Sequence, residues 1–362
     1  MKPPKKKELY RIRHMSVCVA AFSEAQRAIV CIADRALSYG GSIQWDSDSS
    51  KMLTLSPKGP LILFAGDETP TTKVLAGILS RTPDLGEGKT KAEVVTVCEA
   101  EYKEAMDELI EAQFLRPRLL TKQDYVTAIT APQMNPYIRT LAEDVKAFQL
   151  ECQFLVCGFA SNGLPYILSL DNPGIITDMT QTGFHAIGSG WEKAIARLLF
   201  SEFKRSYPLY RTAYDSFDAK AFSEMAVGVG FDWELRVITK DRIVELKEDA
   251  KELIEKVWTK FTRSPFEKRK KDDPLPPPRD WMKMLETYFR LIMENPDLSS
   301  GPLPELHPRV GLTIRGDLNT EPNLTSRRQR KQMRELIKET DAEVEKLKTK
   351  QKKAIPPSIA EK

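Results

Sequence analysis

The chain has 362 residues, 41% of them hydrophobic and 29% charged, with 55 Lys/Arg against 51 Asp/Glu. Eleven Lys/Arg against five Asp/Glu fall in residues 326–353, a net of +6 that leaves −2 for the remainder, so a folded nucleic-acid-binding face is disfavoured. No apolar run approaches the ~18 residues of a membrane helix, and no signal-peptide stretch follows the basic start.

Residues 1–14 read as a polar, basic leader. Two β-branched runs follow, Ser16–Phe22 and Ala28–Ala33, and the polar Ser23–Arg27 between them predicts a hairpin with a loop of about five residues. Gly40 to Ser50 reads as loose. Lys51–Leu55 and Leu61–Ala65 form a second predicted hairpin, turned by Ser56-Pro57-Lys58-Gly59-Pro60. After Gly66 the period becomes helical: Thr71–Ser80, then Thr90–Leu115, then a less regular Thr121–Phe148 broken by Pro132 and Pro136. Strands return at Gln153–Gly158 and Pro165–Leu170. His185–Ile187 leads through Gly188-Ser189-Gly190 into a helix over Trp191–Phe203, a short helix spans Ala219–Val227, and a last strand covers Glu234–Thr239.

This order, with no alternating βαβ pattern, predicts an α+β fold, a four-layer αββα sandwich, in place of a doubly wound parallel sheet. Residues 16–247 form the expected domain and 1–15 a leader, propeptide or mis-assigned start. Residues 248–362 form a charged helical or disordered extension. In that extension Asp249–Phe261 and Asp280–Met293 read as helices. The second carries a packing stripe of Trp281, Met284, Leu285, Tyr288 and Leu291. The run 268–278 between them is a proline-stiffened linker.

Cys18, Cys31, Cys98, Cys152 and Cys157 are odd in number and sit in apolar contexts, so they read as buried thiols in a reducing cytoplasm. His14, His185 and His307 are too scattered for a metal cluster; His185 reads as a core histidine, and no cofactor is expected. Gly86-Glu87-Gly88-Lys89-Thr90 imitates the end of a phosphate-binding loop, but Pro83 stands where that loop needs its first glycine.

One arrangement carries chemistry. Ser16 begins the first strand, Asp34-Arg35 ends the second, Lys51 opens the third and Gly66 closes the fourth. Paired hairpins gather these strand ends, which supplies a hydroxyl, a carboxylate, an ammonium and a bare backbone N–H. By residue type alone Ser16 is a strand-edge serine, Asp34 and Lys51 an ion pair, and Ser189 a helix cap.

At these residues the sequence resembles the proteasome β subunits and their bacterial relatives, which are N-terminal nucleophile hydrolases; the nearest flavour is the bacterial ancestral-type β subunit. The resemblance runs from Ser16 to about Leu246. It is carried by Ser16-Val17-Cys18-Val19, Ile32-Ala33-Asp34-Arg35-Ala36, Lys51-Met52, Ala65-Gly66, Phe154 to Phe159 and Ala186-Ile187-Gly188-Ser189-Gly190. It implies a peptidase whose nucleophile, Ser16, uses its own free α-amine as general base, with Lys51 as the cation beside it and Asp34 holding Lys51. It further implies Gly66 N–H as oxyanion donor and Ser189 in support. A polypeptide or peptide substrate, self-association into a ring or stacked assembly, and an ATP-dependent unfoldase partner belong to the same implication.

The chain departs from the family in four places. Serine replaces threonine, losing the methyl that restricts the rotamer. Asp34 lies about two positions further from Ser16 than is usual. The family's Asp-x-x-Ser is not evident in Ser223-Glu224-Met225-Ala226-Val227-Gly228, where Glu224 stands in for the aspartate. Fifteen residues precede Ser16, and its nitrogen serves as a base only after their removal, by self-cleavage or because Met15 is the true start. The alternative is a catalytically inactive structural subunit whose C-terminal extension mediates assembly or partner binding. Weak, salt-sensitive anion binding through 326–353 is a third reading.

Overall fold

The computed structural model describes residues 16–39, 43–46, 50–81, 85, 88–131, 133–226, 229–261 and 279–294. The leader, the 268–278 linker and the 326–353 charge run lie outside them.

Two antiparallel five-stranded sheets form the centre. In the first the order is β10-β1-β2-β11-β12, from β1 (Cys18–Ser23), β2 (Ala28–Asp34), β10 (Phe184–Ile187), β11 (Trp233–Thr239) and β12 (Ile243–Glu245). In the second it is β5-β6-β7-β8-β9, from β5 (Met52–Thr54), β6 (Leu61–Gly66), β7 (Cys152–Phe159), β8 (Pro165–Asp171) and β9 (Ile175–Asp178). The expected hairpins are β1–β2 and β5–β6. The stretch expected to be loose, Gly40 to Ser50, instead contributes a short strand, β4 (Ile43–Asp46), which pairs with β3 (Ala36–Tyr39) just before it.

Side-chain alternation explains why the strands read as unbroken apolar runs. Cys18, Ala20 and Phe22 of β1, with Ile29, Cys31 and Ala33 of β2, pack against Leu61, Leu63 and Ala65 of β6 and Leu155 and Cys157 of β7, forming one buried layer between the sheets. The intervening residues of the second sheet, Ile62, Phe154 and Val156, face the other way. They meet Val74, Leu75 and Ile78 of α1 (Glu68–Ser80) and Val94, Cys98 and Tyr102 of α2 (Lys91–Ile110). Strands covered on both faces have no solvent side on which to show polar residues.

Thr90 caps α2 through a reciprocal bond with Glu93, which accounts for the polar start of that helix without a phosphate ligand. Past a π-helical turn, Glu111–Leu115, the irregular segment resolves into α3 (Lys122–Thr130) and α4 (Pro136–Ala147). On the other outer face, α5 (Trp191–Phe200) and α6 (Leu209–Ser223) cover β10, β1 and β2. The expected short helix at 219–227 is therefore fifteen residues long and begins ten residues earlier. Two further helices, α7 (Glu248–Phe261) and α8 (Arg279–Glu294), pack against α6. The indole N–H of Trp258 donates to Asp218 at 2.8 Å, and that of Trp233 to Glu255 at 2.6 Å.

The β1–β2 turn is unusual. Glu24, Ala25 and Gln26 all have left-handed backbones, with φ of 52°, 54° and 75°. Its first two amides donate to the carbonyls of Tyr207 and Arg205 at 2.8 and 3.0 Å, so the conformation is imposed by the neighbouring chain segment. All five cysteines are buried free thiols. No helix among the described residues is long and apolar enough to cross a membrane, and no group of potential metal ligands occurs among them.

Candidate active site

The β1–β2 register decides where Ser16 sits. Cys18 pairs with Ala33, and the Asp34 amide donates to the Val17 carbonyl at 3.1 Å, so Ser16, one residue further out, reaches the Asp34 end of β2. On the other side of β1, Cys18 pairs with Ile187, which brings the Gly188-Ser189-Gly190 turn beside Ser16. Lys51 comes from the other sheet: its carbonyl accepts from the Phe64 amide at 3.1 Å, one rung beyond the Met52–Leu63 pair. Its ammonium crosses between the sheets.

There Lys51 Nζ donates to Ser16 Oγ at 2.7 Å and lies 3.0 Å from both oxygens of Asp34. Ser16 and Lys51 are each 5% exposed and Asp34 is fully buried. Asp34 is held by more than the ammonium. Oδ1 accepts the Val17 amide at 2.8 Å, and Oδ2 accepts those of Ala36 and Gly230 at 3.2 and 3.1 Å. Three backbone donors fix the carboxylate, the carboxylate fixes the ammonium, and the ammonium points at the hydroxyl. A buried ion pair recovers its desolvation cost only with such extra hydrogen bonds.

The Ser16 amide donates to Ser189 Oγ at 3.2 Å, and the Ser16 carbonyl accepts from the Gly190 amide at 3.1 Å. Ser189 is exposed, so this side of the cluster opens to solvent. Gly188 has φ of +87°, and a Cβ there would lie 2.3 Å from the Ser16 carbonyl oxygen; the turn approaches this closely because the side chain is missing. Gly66, with φ of +122°, is equally constrained: a Cβ would lie 2.1 Å from the Glu151 carbonyl. Phe64 N–H points to β5, so by strand alternation the Gly66 N–H, two residues on, points past the start of β5 on the Lys51 side. Its neighbour Ala65 lies under the same Gly188 turn.

Glu224 is placed differently from the other five. Its half-buried carboxylate accepts from the fully buried Lys220 at 2.7 Å, and Lys220 also donates to the Phe231 carbonyl at 2.7 Å. Burial raises the Glu224 carboxyl above its ordinary range and Lys220 pulls it back, with Glu255 and Asp34 opposing it through their charge. The preceding serine, Ser223, is the one turned inward: its hydroxyl lies 3.1 Å from the Gly190 carbonyl and 2.8 Å from that of Ala219.

Two residues beside the site were not singled out from sequence. Glu234 and Arg236 share a face of β11 with Ile238, which belongs to the layer between the sheets. Glu234 accepts the Lys51 amide at 2.8 Å and the Ser50 hydroxyl at 2.7 Å. Arg236 donates to the Met52 carbonyl at 3.0 Å and Thr54 Oγ1 at 3.2 Å. Burial raises the Glu234 carboxyl, with Arg236, Ser50 and Arg35 working against the rise. The available signal was a Glu-x-Arg pair at strand spacing within an otherwise apolar run. His185, expected in the core, is half-buried on β10, and that burial lowers its pKa.

No family model matches the sequence, and no curated protein does. Among solved structures the chain is similar to Anbu (ancestral beta-subunit) from Yersinia bercovieri, with 13% identity, 70% of this chain and 100% of that one covered, and a TM-score of 0.47.

Proposed function

We propose that this chain is a proteasome-like peptidase of the N-terminal nucleophile type, hydrolysing peptide bonds through Ser16 after residues 1–15 are removed. The observation that carries the reading is the 2.7 Å contact of a buried ammonium, Lys51, with the Ser16 hydroxyl, backed by Asp34. The sequence resemblance assigns the same residues the same roles.

The chemistry needs no cofactor. Freed from residue 15, the Ser16 nitrogen is an amine with an ordinary pKa of about 7.7–8.0. The cation at Lys51 favours its neutral form and also the alkoxide. The amine takes the proton from Oγ, and Oγ attacks the scissile carbonyl carbon. The Gly66 N–H donates to the resulting oxyanion. The amine returns the proton to the leaving nitrogen, and an acyl ester stays on Ser16. Water, deprotonated by the same amine, then releases the second product. Ser189 orients the nitrogen, and Glu224 is linked to Asp34 by hydrogen bonds through Lys220 and the 230–231 backbone. Self-association into a ring or stacked assembly belongs to this proposal and is read by the mass of the native particle.

The test compares a chain beginning at Ser16, its Ser16→Ala variant and the full chain on fluorogenic peptides, with the mature N-terminus read by intact mass. Turnover in the first alone, or in the full chain only after loss of fifteen residues, supports the reading. Equal signals from Ser16 and Ser16→Ala chains overturn it, as the non-catalytic subunit requires.

A further inference from the structure

The cluster is assembled from two sheets. Ser16 and Asp34 belong to the first and Lys51 to the second, and most of what joins the sheets at this end is apolar packing between Cys18, Ala33, Met52, Leu63 and Ala65. Such packing is close but non-directional. It does not by itself hold an ammonium within a few tenths of an ångström of a hydroxyl on the opposite sheet.

Directional bonds do cross the gap at this end: the Lys51 ammonium bonds Ser16 and Asp34 through its flexible side chain, and Glu234 bonds the Lys51 main chain. Glu234 pairs with Ala33 in the β2–β11 ladder, one residue from Asp34, so its Cα is rigidly placed relative to the carboxylate and to Ser16. Its side chain leaves the first sheet and takes the backbone N–H of Lys51 at 2.8 Å. Arg236 seconds it on the next backbone group, the Met52 carbonyl. Glu234 is 2% exposed; around it stand Arg236 at 3.6 Å, Arg35 at 3.9 Å and the Ser50 hydroxyl, with Glu245 beyond Arg236. A buried carboxylate spent on a strand-end amide is costly unless its position matters.

We propose that Glu234 is a positioning residue: by fixing the main chain at Lys51 it sets the separation of the Lys51 ammonium from Ser16 Oγ. As a statement about catalysis this rests on the peptidase reading; as a statement about geometry it does not.

Two variants of the chain from Ser16 to Lys362 separate reach from charge. Glu234→Asp keeps the charge that balances Arg35 and Arg236 but withdraws the carboxylate by about 1.5 Å, beyond hydrogen-bond range of the Lys51 amide. Glu234→Gln keeps the reach and loses the charge. Positioning predicts that the Asp variant loses about 10–100-fold in kcat with KM within twofold. Its acidic limb of activity moves up in pH as the cation retreats from the α-amine, which Asp34 and Ser189 also face. The Gln variant keeps at least half of kcat and an unmoved profile. The reverse order, equal effects, or a kcat loss with an unshifted profile in the Asp variant overturns the proposal, because a purely structural charge would behave in those ways. A readout without turnover accompanies these: amide exchange at Lys51 quickens at least tenfold in the Asp variant and not in the Gln variant. If the parent chain has no peptidase activity, the peptidase reading fails and exchange alone decides the role of Glu234; unchanged exchange in the Asp variant overturns it.

Discussion

The Asp34–Lys51 pair is asymmetric, and the asymmetry predicts opposite tolerance to loss of its two members. Replacing Lys51 by Met removes the cation but leaves Asp34 with the amides of Val17, Ala36 and Gly230, at 2.8, 3.2 and 3.1 Å. Hydrogen bonds to a charged acceptor contribute about 1.5–3 kcal/mol each, and Met fills most of the vacated volume, so the expected cost is about 1–2 kcal/mol. Replacing Asp34 by Asn is worse. Whichever way the amide is turned, its NH2 meets a backbone donor, Val17 on one side or Ala36 and Gly230 on the other, and Lys51 keeps Ser16 Oγ and one neutral carbonyl oxygen in place of its counter-charge. Removing one partner of a buried ion pair costs about 3–5 kcal/mol, and each orphaned N–H adds about 1–3. Asp34→Asn is therefore expected to destabilise by at least about 4 kcal/mol, a large part of a typical margin. Urea melts of both variants, followed by circular dichroism, read the difference. A Lys51→Met chain as unstable as Asp34→Asn, or more so, would refute the account of what holds the site.

Three further outcomes follow from other parts of the molecule. Gly188→Ala should cost at least about 2 kcal/mol more than Gly88→Ala in thermal melts. Both have φ near +87°, but a Cβ at Gly88 meets nothing within 4 Å while one at Gly188 meets the Ser16 carbonyl. Burial pushes the Asp215 carboxyl up to about 6 despite Arg211 at 3.0 Å. Its folded pKa exceeds the unfolded one, so the group favours folding below about pH 4 and withdraws up to about 3 kcal/mol as pH rises through 6. Asp215→Asn should accordingly gain stability relative to the parent between pH 4 and pH 7, as urea midpoints across that range would reveal; a constant difference would contradict it. Trp258→Phe should loosen α7 by about 1.5–3 kcal/mol through loss of the bond to Asp218, visible as faster amide exchange over Glu248–Phe261.

Much of this was legible in the residues. The hairpins β1–β2 and β5–β6 follow from β-branched runs and a Pro/Gly turn, and the ends of those strands contain Ser16, Asp34, Lys51 and Gly66. Helix α6 is longer than apolar periodicity predicts because its buried positions include Asp215, Asp218 and Lys220. These carry charge into the interior only because Arg211, Arg197 and Glu224 meet them there, and no apolar periodicity records such pairing. The same reason hid Glu234 and Arg236, charged residues on an inward face. The short strands β9 and β12, and the β3–β4 hairpin beside Gly40-Gly41-Ser42, have too few residues to rise above their turn-rich surroundings.

The five thiols are distributed over two shells. Cys18, Cys31 and Cys157 lie between the sheets, whereas Cys98 and Cys152 lie under α1 and α2. Native alkylation is therefore a clock with two hands: a reagent reaches the outer pair when the helical cover lifts and the inner three only when the sandwich itself parts. The order in which the adducts accumulate would tell which layer of this protein gives way first.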